Sequence, residues 1–552
     1  MGKSLQIDLS DDRLIAIAAD MVDEHNYIGA LKMLNKNAEL TGNDEDSYML
    51  YAEIFDDLGL YEKSVNGWFK FMDVVDFNEV SDCYEGLAVG YMNLGNEHFS
   101  AYYYNKLLLE TDEVDATTRE EIVRDFLSAE ENPLKFTWPP EIADVSEIIS
   151  EGVRLMKEGE YDKACDLFSE VAEGNPRWVS ARNYMAMCLI ISDRNDEAEA
   201  ICRGVLEKIP DNVQAMTTLA AVLTEAEKRE EALEITGRLL ALDVKETDDI
   251  YKIATVCCEN GLHAEAYSLF HKLDEDFAYD RTILYFRAVS AFNSGKFEES
   301  FSSFDRLLTI YPDAVTARYY YDIARASRDT GEPTELSYYY RLPQEIRQSS
   351  LKMLAAYMRL STQKAAALTA EIDISSLVKW CFDETEPSSA GDLQLLAAHV
   401  AVKAGMDDYV RDLLLHAFLP DRLKIEVLES LAERNRDDAY GVVVCNVYKR
   451  VTMRKLSVGR LKKVYFVRAY SRLVAHFAIL DDSYGEKFAR TAEKLYGKLM
   501  REERLEVAKD VDALTAAIFT DSGVHDVGIP DDGLCAFFNV TDKQLEKIRG
   551  EK

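Results

Sequence analysis

The chain has 552 residues, too many for one hydrophobic core, and its 47% hydrophobic and 30% charged content marks a folded rather than a disordered protein. One hundred acidic residues against 63 basic ones give a formal net charge of -37, which disfavours generic nucleic-acid or anionic-membrane binding and suits a basic partner. No apolar run is long enough to span a bilayer, the opening Met1–Gln6 is no signal peptide, and the nine cysteines form no Cys-x-x-Cys, so a cytoplasmic chain with reduced thiols is expected.

In chain order, residues 1–131 read as three degenerate helix pairs. The first, from Asp11, has small residues at Ala18 and Ala30, with Tyr27 after the turn. The second, from Glu45, has Ala52, Ser64, Gly59, Tyr61 and Trp68; the third, from Ser81, has Ala88, Ser100, Gly95 and Tyr104. Thr117 to Glu131 reads as a further helix. Residues 132–144 are a connector, because Pro133, Pro139 and Pro140 exclude a helix there. Phe136 and Trp138 are expected to pack on an array.

From residue 145 to 330 the pattern becomes plain. Copies begin at Val145, Val179, Val213, Thr247 and Arg281, each 34 residues after the last. Small residues recur at positions 8 and 20, as in Ala186 with Ala198, Ala220 with Ala232, and Ala254 with Ala266. Gly159, Gly261 and Gly295 mark the turn, Phe168, Phe270 and Phe304 follow, and Pro176, Pro210 and Pro312 close three copies. A poorer sixth copy starts at Val315 and is broken by Gly331-Glu332-Pro333. Residues 331–440 read as irregular helices that cap the array, and residues 441–552 as a further helical domain.

The period, the small pairs, the turn glycine, the aromatic and the closing proline resemble the tetratricopeptide repeat (TPR) family. The resemblance implies an all-α fold: a right-handed superhelical α-solenoid of helix pairs followed by an irregular all-helical C-terminal region. It also implies a concave groove lined by positions 2, 5, 9, 12 and 13 of each first helix. On this chain those positions hold Asp12, Asp23, Asp46, Glu53, Asp56, Asp57, Asp82 and Glu85 in the N-terminal array. In the central array and its sixth copy they hold Asn183, Tyr251, Tyr285, Phe292 and Tyr319. These are the expected partner-binding residues. Positions 5 and 9 carry no Lys or Arg, so the carboxylate clamp of some family members is not expected.

The C-terminal region breaks the acidic pattern. Between Asp438 and Asp481 there is no Asp or Glu, while Arg454, Lys455, Arg460, Lys462 and Lys463 fall in the interval. They contact either phosphates or the acidic surface of the same chain, and the second reading is preferred. Leu534 to Leu545 is similar to a helix-turn-helix, with a capping box at Thr541 and Gln544.

No phosphate-binding glycine loop, His-Glu-x-x-His or Gly-x-Ser-x-Gly occurs. No catalytic, cofactor or metal site is expected; His263 and His271 are read as packed or solvated rather than as ligands. The expectation is a non-enzymatic scaffold that binds a protein or peptide in its groove, with a basic partner suited to its charge. The alternative is a regulator whose C-terminal domain touches nucleic acid while the repeats sense a peptide or protein.

Overall fold

A computed structural model describes residues 11–75, 80–110, 117, 119, 122, 146–331 apart from 174, 176 and 275, 334–384, 391–525, 527 and 533–550. The connector 132–144 and most of the helix expected from Thr117 lie outside these residues. The described chain is an all-α solenoid with one short hairpin. It divides into two compact units: residues 130–312 with 317–340, and residues 1–129 with 313–316 and 341–552.

In the first of these units the helix starts follow the sequence phase. First helices run Val213–Glu225, Thr247–Glu259 and Arg281–Asn293, and their partners run Arg229–Leu240, His263–Leu273 and Phe297–Ile310. Each pair turns on position 15, where φ is positive in every copy: Gly159 (82°), Asp193 (59°), Glu227 (59°), Gly261 (71°) and Gly295 (82°). Three of these five are glycine, because a Cβ is strained in that region. The small pairs are the helix contacts. Ala186, Ala198, Ala220, Ala232, Ala254, Ala266, Ala288 and Ser300 are all fully buried. At Gly152 the space is already taken, since a Cβ there would lie 2.4 Å from the Phe168 ring.

The other unit opens with three pairs of the same kind: Asp11–Asp23 with Tyr27–Leu40, Glu45–Asp57 with Tyr61–Val74, and Val80–Asn93 with Glu97–Glu110. His25, Gly59 and Gly95 occupy the same positive-φ turn. The unit is completed from far along the chain. Strands β1 (Asp438–Val444) and β2 (Val447–Met453) form an antiparallel hairpin, with Val444 opposite Val447. Cys445 and Asn446 form its two-residue turn, both at positive φ (51° and 57°), as a type I′ turn requires. The sequence reading assigned this stretch to helical structure; the run of β-branched valines folds instead as strands.

The hairpin packs on the N-terminal pairs. The Tyr448 hydroxyl donates to Asp73 (2.8 Å), and the Tyr103 and Tyr91 hydroxyls donate to the Asn446 carbonyl and side-chain oxygens (2.6 and 2.9 Å). Leu415, Ala417 and Val443 enter the same core as Phe69, Leu87 and Tyr103. At Gly441 the space is already taken, since a Cβ there would lie 2.0 Å from the Asp73 carboxylate and 2.7 Å from the Tyr448 ring. Val443 of the hairpin therefore shares a core with the N-terminal pairs.

Candidate peptide-binding grooves

The central groove is built by first-helix residues of the pairs starting at Thr247 and Arg281, and it is filled. After helix Val315–Thr330 the second helix of the sixth copy does not form. Residues 334–337 belong to no helix or strand and, with the bend at 338–340, lie along the groove. Asn293, at position 13, holds this segment by its backbone: its amide nitrogen donates to the Leu336 carbonyl (2.9 Å), and its oxygen accepts the Leu336 N–H (2.8 Å). The Tyr285 hydroxyl donates to the Ser337 carbonyl (2.8 Å). His263 Nδ1 lies 2.8 Å from the Tyr338 hydroxyl, and the two rings stack at 5.8 Å. Tyr340 meets the Tyr285 ring edge-on at 4.8 Å, beneath the Arg281 guanidinium at 5.4 Å.

These contacts relocate several expected residues. Tyr285 and Phe292 are 1% and 4% exposed, so neither presents a free surface. Tyr251 is half-buried against Phe270 and Phe286. Asn183 is buried within its own array, and Tyr319 packs edge-on against Tyr320. The residue with the most telling geometry, Asn293, was not singled out from sequence. Its signal was available, since it stands at a groove position and its amide can both donate to and accept from a backbone.

The N-terminal groove is different. Asp46, Asp82 and Glu85 are exposed, and Glu53 and Asp56 are half-buried; the Asp12 side chain lies outside the described residues. Burial, then the neighbouring Asp57 and Asp82, raises the Glu53 carboxyl above its ordinary range. Burial and Asp57 do the same to Asp56. Among the described residues, no cation forms an ion pair with Glu53, Asp56, Asp57 or Asp82.

The basic stretch splits in two. Arg454 pairs with Glu486, and Lys462 with Glu506 at 2.9 Å, so these two meet acidic residues of the same chain. Lys455, Arg460 and Lys463 form no ion pair among the described residues and line an open pocket of about 570 Å³ with Arg434, Asn435 and Val464. The expected helix-turn-helix has a first helix of a single turn, Leu534–Phe537, whose Phe537 packs on Phe477, followed by Asp542–Arg549. The capping box of Thr541 with Gln544 forms as expected.

Chemistry elsewhere is quiet. Burial pushes the thiols of Cys83, Cys188, Cys202, Cys257 and Cys381 up to about 12, so they stay protonated and unreactive. His263 stacks on Tyr338 and His271 on Tyr267. Among the described residues, no group of three or more His, Cys, Asp or Glu side chains is placed to hold a metal. No helix among them is long and apolar enough to cross a membrane.

With their 34-residue phase, positive-φ turns and buried small pairs, the helix pairs are built as tetratricopeptide repeats. No family model matches the chain. The chain is similar to DnaJ homolog subfamily C member 3 of Rattus norvegicus, 23% identical over 228 residues, which is 40% of this chain and 41% of that protein. Among solved structures it resembles the TPR2AB domain of yeast Sti1 in its pHSP90 complex, at 20% identity and a TM-score of 0.20, covering 48% of this chain and 97% of that one. Yeast Tom70 aligns at 14% identity and a TM-score of 0.27, over 96% of this chain and 98% of the other.

Proposed function

We propose that the protein is a non-enzymatic, cytoplasmic scaffold that binds a protein partner, and that its N-terminal groove takes a basic segment of that partner. The supporting observation is the cluster of Glu53, Asp56, Asp57 and Asp82. Two of these carboxyls, Glu53 and Asp56, are raised by burial and then by Asp57, with Asp82 adding to Glu53, and none of the four has an ion-pair cation among the described residues. Like charges held this way are relieved by a cation, so a Lys- or Arg-bearing segment gains from each contact. Basic peptides should bind the full-length chain with an affinity that falls as salt rises. Glu53→Gln with Asp82→Asn should weaken them. Preference for acidic C-terminal peptides would sink this reading.

A second reading is favoured by one observation, the three cations without ion pairs at Lys455, Arg460 and Lys463. It makes this pocket a contact for phosphates of a nucleic acid. Retention of DNA or RNA by the intact chain at near-physiological salt, lost on neutralising these three residues, would establish it.

A further inference from the structure

The segment in the central groove is bound as a ligand is bound. Its residues 335–340 belong to no helix or strand. Both backbone polar groups of Leu336 are satisfied by one side chain, that of Asn293, and the Ser337 carbonyl by another, that of Tyr285. Alternate side chains point to the wall. Leu336 is 2% exposed, Tyr338 stacks between His263 and Phe286, and Tyr340 sits against Tyr285, whereas the intervening Tyr339 is 77% exposed. The Tyr338 hydroxyl also meets the Cys258 thiol. Main-chain hydrogen bonds with pockets for every second side chain are how a groove reads an extended peptide.

We propose that the groove bounded by Cys258, His263, Tyr285, Phe286 and Asn293 is a binding site for an extended peptide of the pattern Leu-small-Tyr-x-Tyr, and that residues 335–340 are its intramolecular occupant, displaced when a partner presents a segment of the same chemistry. The site is separate from the acidic N-terminal face, so the two proposals stand or fall by different measurements. The helix Val315–Thr330 tethers the occupant a few residues from its site. A short tether gives an effective concentration in the millimolar range. If the segment's own affinity is on the order of 100 μM, the site is open about one-tenth of the time, and an external peptide binds about ten-fold more weakly than to an open groove.

The probe is a labelled synthetic peptide with the sequence of Thr334 to Tyr340, added to full-length protein. The doubly substituted chain Leu336→Ser/Tyr338→Ser should bind it about ten-fold more tightly than the unaltered chain. Adding Asn293→Ala to that background should abolish the gain. Equal binding by the first two chains, or an undiminished gain with Asn293→Ala, overturns the proposal. Should the double substitution disturb folding, hydrogen exchange on the unaltered chain decides. The Leu336 amide should exchange by a local opening that leaves helix Arg281–Asn293 protected, and addition of the peptide in excess should speed that exchange. Exchange of Leu336 only together with the helix core would mean a structural loop and overturn the proposal.

Discussion

Position 20 of the repeat must be small, and at three copies it is serine: Ser64, Ser100 and Ser300. All three are fully buried, and none of their hydroxyls has a hydrogen-bond partner. Alanine fills the same position at Ala198, Ala232 and Ala266 with the same full burial. Ser300→Ala should therefore stabilise the fifth central pair. Removing an unsatisfied buried hydroxyl recovers about 1–3 kcal/mol. The better helix propensity of alanine adds a few tenths, and the lost contacts of one oxygen subtract about as much. A net gain of about 1–2 kcal/mol is expected. Ser303 is the control: it is 2% exposed, but its hydroxyl donates to the Glu299 carbonyl at 2.8 Å, so Ser303→Ala should gain nothing comparable. With two compact units one melting temperature is not a clean measure, and native-state hydrogen exchange of helix Phe297–Ile310 reads the pair directly. Unchanged or weaker protection in Ser300→Ala, or equal gains at both serines, would refute the reasoning.

Three further outcomes are expected. Ala232→Arg should cost about 3 kcal/mol or more by overpacking a closed helix contact and burying a charge, while the exposed Glu230→Arg should be near neutral; native-state hydrogen exchange of helix Arg229–Leu240 in the two variants checks this. Glu227→Gly should stabilise its repeat by about 0.5–1 kcal/mol, since a side chain at φ 59° is strained, and loss of stability in urea would contradict it. His416, pushed down to about 3 by burial and then by Lys424, Lys70 and Lys63, accepts the Phe418 N–H on Nδ1 and stays neutral in the fold. Its folded value lies below the unfolded 6.5, so its contribution is complete above about pH 6.5 and is lost as pH falls toward 3. At pH 5 the loss is about 1–2 kcal/mol, measured by urea unfolding, and His416→Gln should flatten that part of the profile.

The repeat architecture was legible because its cause is local and periodic. A 34-residue phase, a turn that rejects a Cβ and a contact that admits only small residues each leave a mark at a fixed spacing. The same reading missed the hairpin of residues 438–453. Its signals were Val442-Val443-Val444 and Val447 flanking Cys445-Asn446, but a serine- and glycine-poor turn inside a helical protein gives a weak cue. Lys424 was equally hidden. It reads as a surface lysine, yet it is fully buried, with its ammonium donating to the Val443 carbonyl of that hairpin at 2.5 Å.

The helix pairs, their register and the face each first helix turns to the groove are written locally along the chain, because backbone geometry repeats with the residue count. What lies on those faces is set by long-range packing. Tyr285 and Phe292 occupy groove positions by count, yet one is covered by residues 335–340 and both are buried. Asp73, Tyr91 and Tyr103 find their partners in Tyr448 and Asn446, more than 340 positions away. Such pairings follow from where a distant segment happens to fold back, and no period along the chain encodes the meeting of an Asn293 side chain with the backbone of Leu336.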